Sequence, residues 1–331
     1  VIAQRKSFHL VTVGVSIIDH LQTPRAELKK YIPDTHEDHH QLRARIWKRN
    51  AAIYDKQSEE IDLEKDSELA SEELENILTR RSGEEYSTSI ELIEFIKPKL
   101  WPREVSAELS AVASLNGTTQ IPSDDTAILV ASDTRKGLRA ALLNAAAMAG
   151  GRLDRVRYFP EPTSDIAEEE GNVIVVRLPG LDARDEDRLI EAMRGLGALG
   201  LGIRDLLHQH MGSMAHFHLS GGFKTALPFF LGLAEAMQGL CGRGRIRAHT
   251  IHETSRDLRS VVIPLRSHDA ELLREQLASA RYDGYYDDDP PNGRPLNGYA
   301  YTREDSKWRL TPYGFILRPL FVDHAIPPHE S

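Results

Sequence analysis

Two periods of apolar residues alternate along much of the chain. Runs rich in β-branched and apolar residues at 8–13, 127–131, 156–159, 173–177 and 214–219 predict strands. Between them, the segments 104–115, 135–149, 185–194 and 222–240 carry apolar residues at helical spacing. A strand-then-helix order over 8–240 predicts an α/β fold whose mostly parallel sheet is covered by helices on both faces. In such sheets ligands bind beyond the carboxyl ends of the strands, where loops and helix N-termini converge. Those strand ends are the places to look for chemistry.

Two segments depart from this rhythm. Residues 27–96 are highly charged and helical in pattern, with Leu42, Ile46 and Ile53 and then Leu74, Ile77 and Leu78 marking apolar stripes, which predicts a helical insertion. It reads either as a solvated hairpin against the sheet or as a lid or partner-binding element. After Leu240, the residues Gly242, Arg243, Gly244 and Arg245 read as a hinge, followed by a strand at 261–265 and a helix at 269–280. The stretch 282–295, crowded with Asp, Pro, Gly and Asn, reads as a loop, and 308–321 supplies apolar and aromatic residues for a small core. The expected organisation is a ligand-binding domain at 1–240, containing the insertion, and a smaller domain at 241–331.

Bulk composition narrows the partners. The chain has 331 residues, 40% hydrophobic and 27% charged, enough to bury a full core, so global disorder is excluded. No apolar run approaches the roughly 18 residues that would cross a bilayer, and residues 1–10 lack the long apolar segment of a secretory signal, so the expected location is cytoplasmic, without a membrane partner. The single cysteine, Cys241, leaves no intrachain disulfide and reads as a passive buried thiol. A net charge of −9 disfavours duplex DNA and favours a compact ligand, while leaving room for a local basic pocket. The first residue is Val1 rather than Met, which fits either an alternative start codon or missing N-terminal residues.

Three strand ends carry candidate chemistry. In His218-Leu219-Ser220-Gly221-Gly222-Phe223-Lys224, two glycines would let backbone approach a ligand, and Lys224 would add positive charge in the first turn of the following helix. This is an anion site in outline, although on spacing alone a plain strand-to-helix turn stands beside it. At Val13-Gly14-Val15-Ser16, Gly14 permits a tight exit and the Ser16 hydroxyl would enter the crevice; by itself Ser16 is an ordinary helix cap. At Ser132-Asp133-Thr134-Arg135-Lys136-Gly137, cap-type residues precede a helix with two cations, a further contact for phosphate or ribose or simply a capped surface helix. That all three fall at carboxyl ends of one sheet is what raises them above a turn or a cap.

These motifs together resemble the CRISPR-associated Rossmann fold (CARF) proteins, which bind cyclic oligoadenylates. The matching residues are Val13-Gly14-Val15-Ser16-Ile17, Ser106-Ala107-Glu108-Leu109, Ser132-Asp133-Thr134 with Gly137, and Ser220-Gly221-Gly222-Phe223-Lys224, spread over about 8–240. Val15 stands where this branch often has Thr, and Ser220 stands where Thr precedes the two glycines. The resemblance implies a Rossmann-like sheet, a homodimer whose facing crevices hold one cyclic oligoadenylate, cyclic tetra-adenylate being favoured, and no cofactor or metal. Some members sense this messenger without cutting it, to control a C-terminal DNA-binding or effector domain, whereas ring nucleases cut it to 2′,3′-cyclic phosphate ends. By matched position, Ser16 and Lys224 would be catalytic, and Gly14, Val15, Ser132, Asp133, Thr134, Arg135, Ser220, Gly221, Gly222 and Phe223 would bind the ring. The segment Trp308-Arg309-Leu310-Thr311-Pro312-Tyr313-Gly314-Phe315 resembles a turn of the winged-helix domains that follow CARF domains, implying a small winged-helix-like domain suited to dimerisation or to forming a lid.

The histidines at His36, His39 and His40 and at His208, His210, His216 and His218 invite a metal hypothesis. His36 and His40 would share a helix face, yet no third ligand is evident, so surface and core roles are expected. Ribonuclease effectors of the same wider group use an Arg and a His a few residues apart. Arg204 and His210 match that spacing inside the sheet domain, and we take this as coincidence. No glycine-flanked nucleophile elbow with its triad partners is present.

Overall fold

The computed structural model describes residues 6–17, 106–181, 185–222, 224–251, 260–290 and 295–323. The insertion expected at 27–96, with His36, His39 and His40, lies outside the described residues, as do Phe223 and the side chain of Arg135.

A seven-stranded sheet organises the chain, in the order β3-β4-β2-β1-β5-β6-β7. Its strands are β1 (Ser7–Thr12), β2 (Thr126–Ala131), β3 (Val156–Phe159), β4 (Val173–Arg177), β5 (Met214–His218), β6 (Ile246–Ile251) and β7 (Ser260–Ile263). All pairings are parallel except that of β7, which runs antiparallel on β6. The runs Thr126–Ala131 and Val173–Arg177 are buried at every position. Such unbroken apolar strands are what a parallel sheet covered on both faces requires. The fold is thus α/β with a mostly parallel sheet, and it fits a Rossmann-like arrangement.

The strand pleat sorts side chains into two cores. Phe8 and Leu10 of β1, with Ile128, Val130, Ile174 and Val176, meet α3 (Glu186–Gln209) and α4 (Leu227–Cys241). Val11 and Val13, with Leu129, Val173 and Val175, meet α1 (Ala107–Asn116) and α2 (Arg135–Met148) on the other face. Helix starts are written locally. Ser106, Thr134 and Asp185 each accept a backbone N–H of the first turn, of Leu109, Gly137 and Asp187 respectively. A left-handed Gly117, at φ 72°, closes α1.

Two sequence expectations change here. Helix α3 runs to Gln209, well past the expected end at Arg194, despite Gly195, Gly197, Gly200 and Gly202. Added methyls at these positions would strike Pro162 and Leu178, Pro319, Leu233 and Leu320, and Ile166, so the glycines let neighbours approach the helix axis. That close packing offsets a propensity cost of about 1 kcal/mol for each glycine. The division expected at 240/241 does not coincide with an edge of the core. Residues 242–245 form a short turn from α4 into β6, and β6 and β7 extend the same sheet.

The remaining described residues include α5 (Ala270–Leu277), the hairpin β8 (Tyr301–Glu304) and β9 (Lys307–Leu310), and α6 (Pro312–Arg318). Leu273, Tyr301, Trp308, Phe315, Leu317 and Phe321 belong to the same buried cluster as α3 and α4. Among the described residues, no helix is long and apolar enough to cross a membrane.

Candidate functional site

In this sheet β1 lies between β2 and β5, and the chain crosses from one side of β1 to the other between β4 and β5. The carboxyl ends of β1 and β5 therefore flank the topological switch point, where open α/β sheets bind their ligands. The two loops that leave these ends are the ones carrying Gly14–Ser16 and Ser220–Gly222, and they touch. Thr12 Oγ1 donates toward Gly221 O at 2.6 Å and His218 O at 3.2 Å. A methyl on Gly14 would stand 2.9 Å from Gly222 N, and Gly222 itself adopts φ +89°, so both contacts demand glycine. Ser220 Oγ accepts the Ile251 N–H at 2.9 Å, fixing the β5 exit to the end of β6.

Beneath the two loops sits a side chain to which sequence reasoning assigned no role. Glu108, in the first turn of α1, is 1% exposed. Its Oε1 accepts the Gly14 N–H at 2.7 Å, and its Oε2 accepts the Ser16 hydroxyl at 3.3 Å. Ser106 Oγ stands 2.6 Å from both Glu108 Oε2 and Asn144 Oδ1, and its single proton serves one at a time. A methyl on Gly221 would lie 2.1 Å from Glu108 Oε1, so the carboxylate is wedged between the exits of β1 and β5. In the sequence, Ser106-Ala107-Glu108 falls inside the helical segment 104–115 and among the residues that carry the family resemblance, with no role assigned to Glu108. Only the sheet order brings it under Ser16 and Gly221.

The expected site residues separate into three groups. Gly14, Val15, Ser16, Ser220, Gly221 and Gly222 do meet at the switch point, with Ser16 exposed and Val15 half-buried. Lys224 follows the same loop and is exposed, but it stands in a turn at 224–226 rather than in the first turn of a helix. Helix α4 begins at Leu227 after Ala226, with no side-chain cap, so the expected union of Lys224 with a helix N-terminus is corrected. Pro228 in the first turn places the helix start there. Ser132, Asp133 and Thr134, at the β2 exit, are turned to structural use. Ser132 is buried 3.0 Å from Thr134 Oγ1, and Asp133 accepts the Gly180 N–H at 3.2 Å and faces Arg188 at 3.5 Å and Arg177 at 3.8 Å.

A second cluster lies on the sheet face covered by α1. Alternation along β5 puts His216 and His218 on one face, and strand register sets His9 beside His216 and His249 beside His218. All four are buried. His9 Nδ1 lies 3.1 Å from His218 Nε2, and His216 Nδ1 lies 3.0 Å from His249 Nε2. Burial pushes the His216 imidazole down to about 3 and His249 to about 4, and holds His218 well below the usual range, each reinforced by neighbouring histidines and, for His216 and His249, by Arg247. Among the described residues, no three or more His, Cys, Asp or Glu side chains converge to hold a metal ion.

The remaining candidates resolve simply. Arg204 is bound to Asp205 at 2.8 Å and His210 to Glu170 at 2.7 Å, so each has its own partner. Burial raises the Cys241 thiol to about 11. A cleft of about 790 Å³ between α3 and the C-terminal residues is lined by Leu178, Arg194, Tyr282, Arg309 and Phe315, among others, and contains none of the expected site residues. No protein-family model and no curated protein matches this chain.

Proposed function

We propose that the crevice at the β1 and β5 exits binds a cyclic oligoadenylate and cuts it without metal, as a ring nuclease of the CARF type. The observation that carries this reading is the contact between the Gly14–Ser16 and Ser220–Gly222 loops at the switch point, two of the four motifs on which the resemblance rests. In this reading a ribose 2′-hydroxyl attacks its own 3′-phosphate, and the crevice contributes alignment and charge stabilisation. Ser16 sits at the attacking hydroxyl, and exposed Lys224 at the phosphate. The acting unit is a homodimer, cyclic tetra-adenylate the favoured ring, and the cytoplasm its location. The helix α5, the β8–β9 hairpin and α6 we read as a winged-helix-like element that dimerises or closes over the ring, with duplex DNA disfavoured by the acidic charge.

A second reading is a sensor that binds the ring intact. It is favoured by the Gly14 N–H being taken by Glu108, which removes that amide from the donors available to a phosphate. Incubation with cyclic tri-, tetra- and hexa-adenylate in EDTA, followed by chromatography, separates the two. Linear products with 2′,3′-cyclic phosphate ends, lost in Lys224→Ala while binding persists, support the nuclease. A ring bound but intact supports the sensor, and no binding refutes both.

A further inference from the structure

We propose that Glu108 is a positioning residue that orients the Ser16 hydroxyl and accepts a proton through it. This rests on the ring-nuclease reading and assigns a direction to its proton transfer. The Ser16 hydroxyl donates to Glu108 Oε2 at 3.3 Å, which leaves its oxygen to act as an acceptor. A hydroxyl held this way is an acceptor for a substrate hydroxyl, not a donor to a phosphate. Glu108 has no cationic partner among the described residues; its oxygens accept the Gly14 N–H and the Ser106 hydroxyl. The carboxylate is therefore fixed and, among the described residues, outside any ion pair.

The step balances as follows. The ribose 2′-oxygen bonds to phosphorus while its proton passes to Ser16 Oγ, and the Ser16 proton passes to Glu108 Oε2. The P–O5′ bond breaks, and the departing 5′-oxygen takes a proton from water. The proton then returns from Glu108 through the Ser16 hydroxyl to the hydroxide so formed, leaving a 2′,3′-cyclic phosphate and a 5′-hydroxyl. The same arrangement places an acceptor at the crevice floor, which favours hydroxyl over phosphate beside Ser16 and so sets which ring atom enters first.

The groups facing Glu108 from the β1 exit are Gly14 and Ser16, from the β5 exit Gly221, and from α2 Asn144 through Ser106. The titratable side chains on the sheet face that α1 covers are His9, His216, His218 and His249, the last three held by burial well below the usual imidazole range, together with Arg247. Exposed Lys224 lies beyond the β5 exit. The test is the pH profile of single-turnover cleavage of cyclic tetra-adenylate by wild type, Glu108→Gln, Ser16→Ala and the double variant, with ring affinity by calorimetry and the fold by circular dichroism. The expected result is a loss on the order of 10²-fold in cleavage for either single variant. Ring affinity should hold within about twofold, the acid limb should be absent in both, and the double variant should be no slower than the slower single. Glu108→Gln keeping the wild-type acid limb, or multiplicative losses in the double variant, would overturn the relay while leaving the nuclease reading intact. If Glu108→Gln does not fold, Ser16→Ala alone decides, since an acid limb retained there excludes transfer through the serine. Absence of cleavage by the wild type would overturn both.

Discussion

Lowering the pH from 8 to 5 should destabilise this protein steeply, because three histidines buried neutral in the fold are free to protonate once it opens. His216, His218 and His249 are at most 5% exposed and have folded pKa values pushed down, to about 3 for His216 and about 4 for His249. An unfolded histidine titrates near 6.5. The folded pKa therefore lies below the unfolded one, the unfolded chain binds more protons, and the stability is complete above about pH 7 and lost as pH falls from 6.5 toward the folded values. At pH 5 the loss is set by the unfolded pKa alone, 1.5 units away, or about 2 kcal/mol per histidine and about 6 kcal/mol for three. A domain of ordinary stability has only about 5–15 kcal/mol in total. Urea unfolding followed by circular dichroism at half-unit pH steps should show this loss, with these three histidines contributing close to three of the protons taken up per unfolding event near pH 5.5. Asp125, 3.9 Å from His9, and Arg247, opposite His216 in the strand register, do not reverse the sign. Stability flat between pH 7 and 5, or unchanged proton uptake when His216 and His249 are replaced by Phe and Asn, would refute the reasoning.

Further outcomes follow from single side chains. Gly221→Ala places a methyl 2.1 Å from Glu108 Oε1 and 2.8 Å from Thr12 O, and it should lower stability by about 1–3 kcal/mol, read as a fall in urea midpoint; an unchanged midpoint would mean that the loops are not in contact. Cys241, 8% exposed with its thiol raised to about 11, should react with an aromatic disulfide reagent at pH 8 only on unfolding, and prompt labelling of the native protein would contradict its burial.

The sheet was legible because its strands are apolar on both faces, so Thr126–Ala131 and Val173–Arg177 announce themselves as continuous runs. The end of α3 was not, because four glycines weaken local helix propensity and only tertiary contacts with Pro162, Ile166, Leu233 and Pro319 explain their retention. The switch-point loops could be read from their glycines. Glu108 could not, since its meaning depends on α1 delivering it beneath two loops distant in sequence, 94 positions along the chain from Gly14. The histidine array was half visible: His216 and His218 show the strand period, but His9 and His249 join them through strand register alone.

The most direct test of the account is calorimetric titration of the wild-type protein and the exposed-site variant Lys224→Glu with cyclic tetra-adenylate in EDTA. Binding of one ring per two chains, weakened at least tenfold in the variant, is the predicted result; no heat of binding from any ring size, or equal affinity in both proteins, would contradict a crevice built from the β1 and β5 exits.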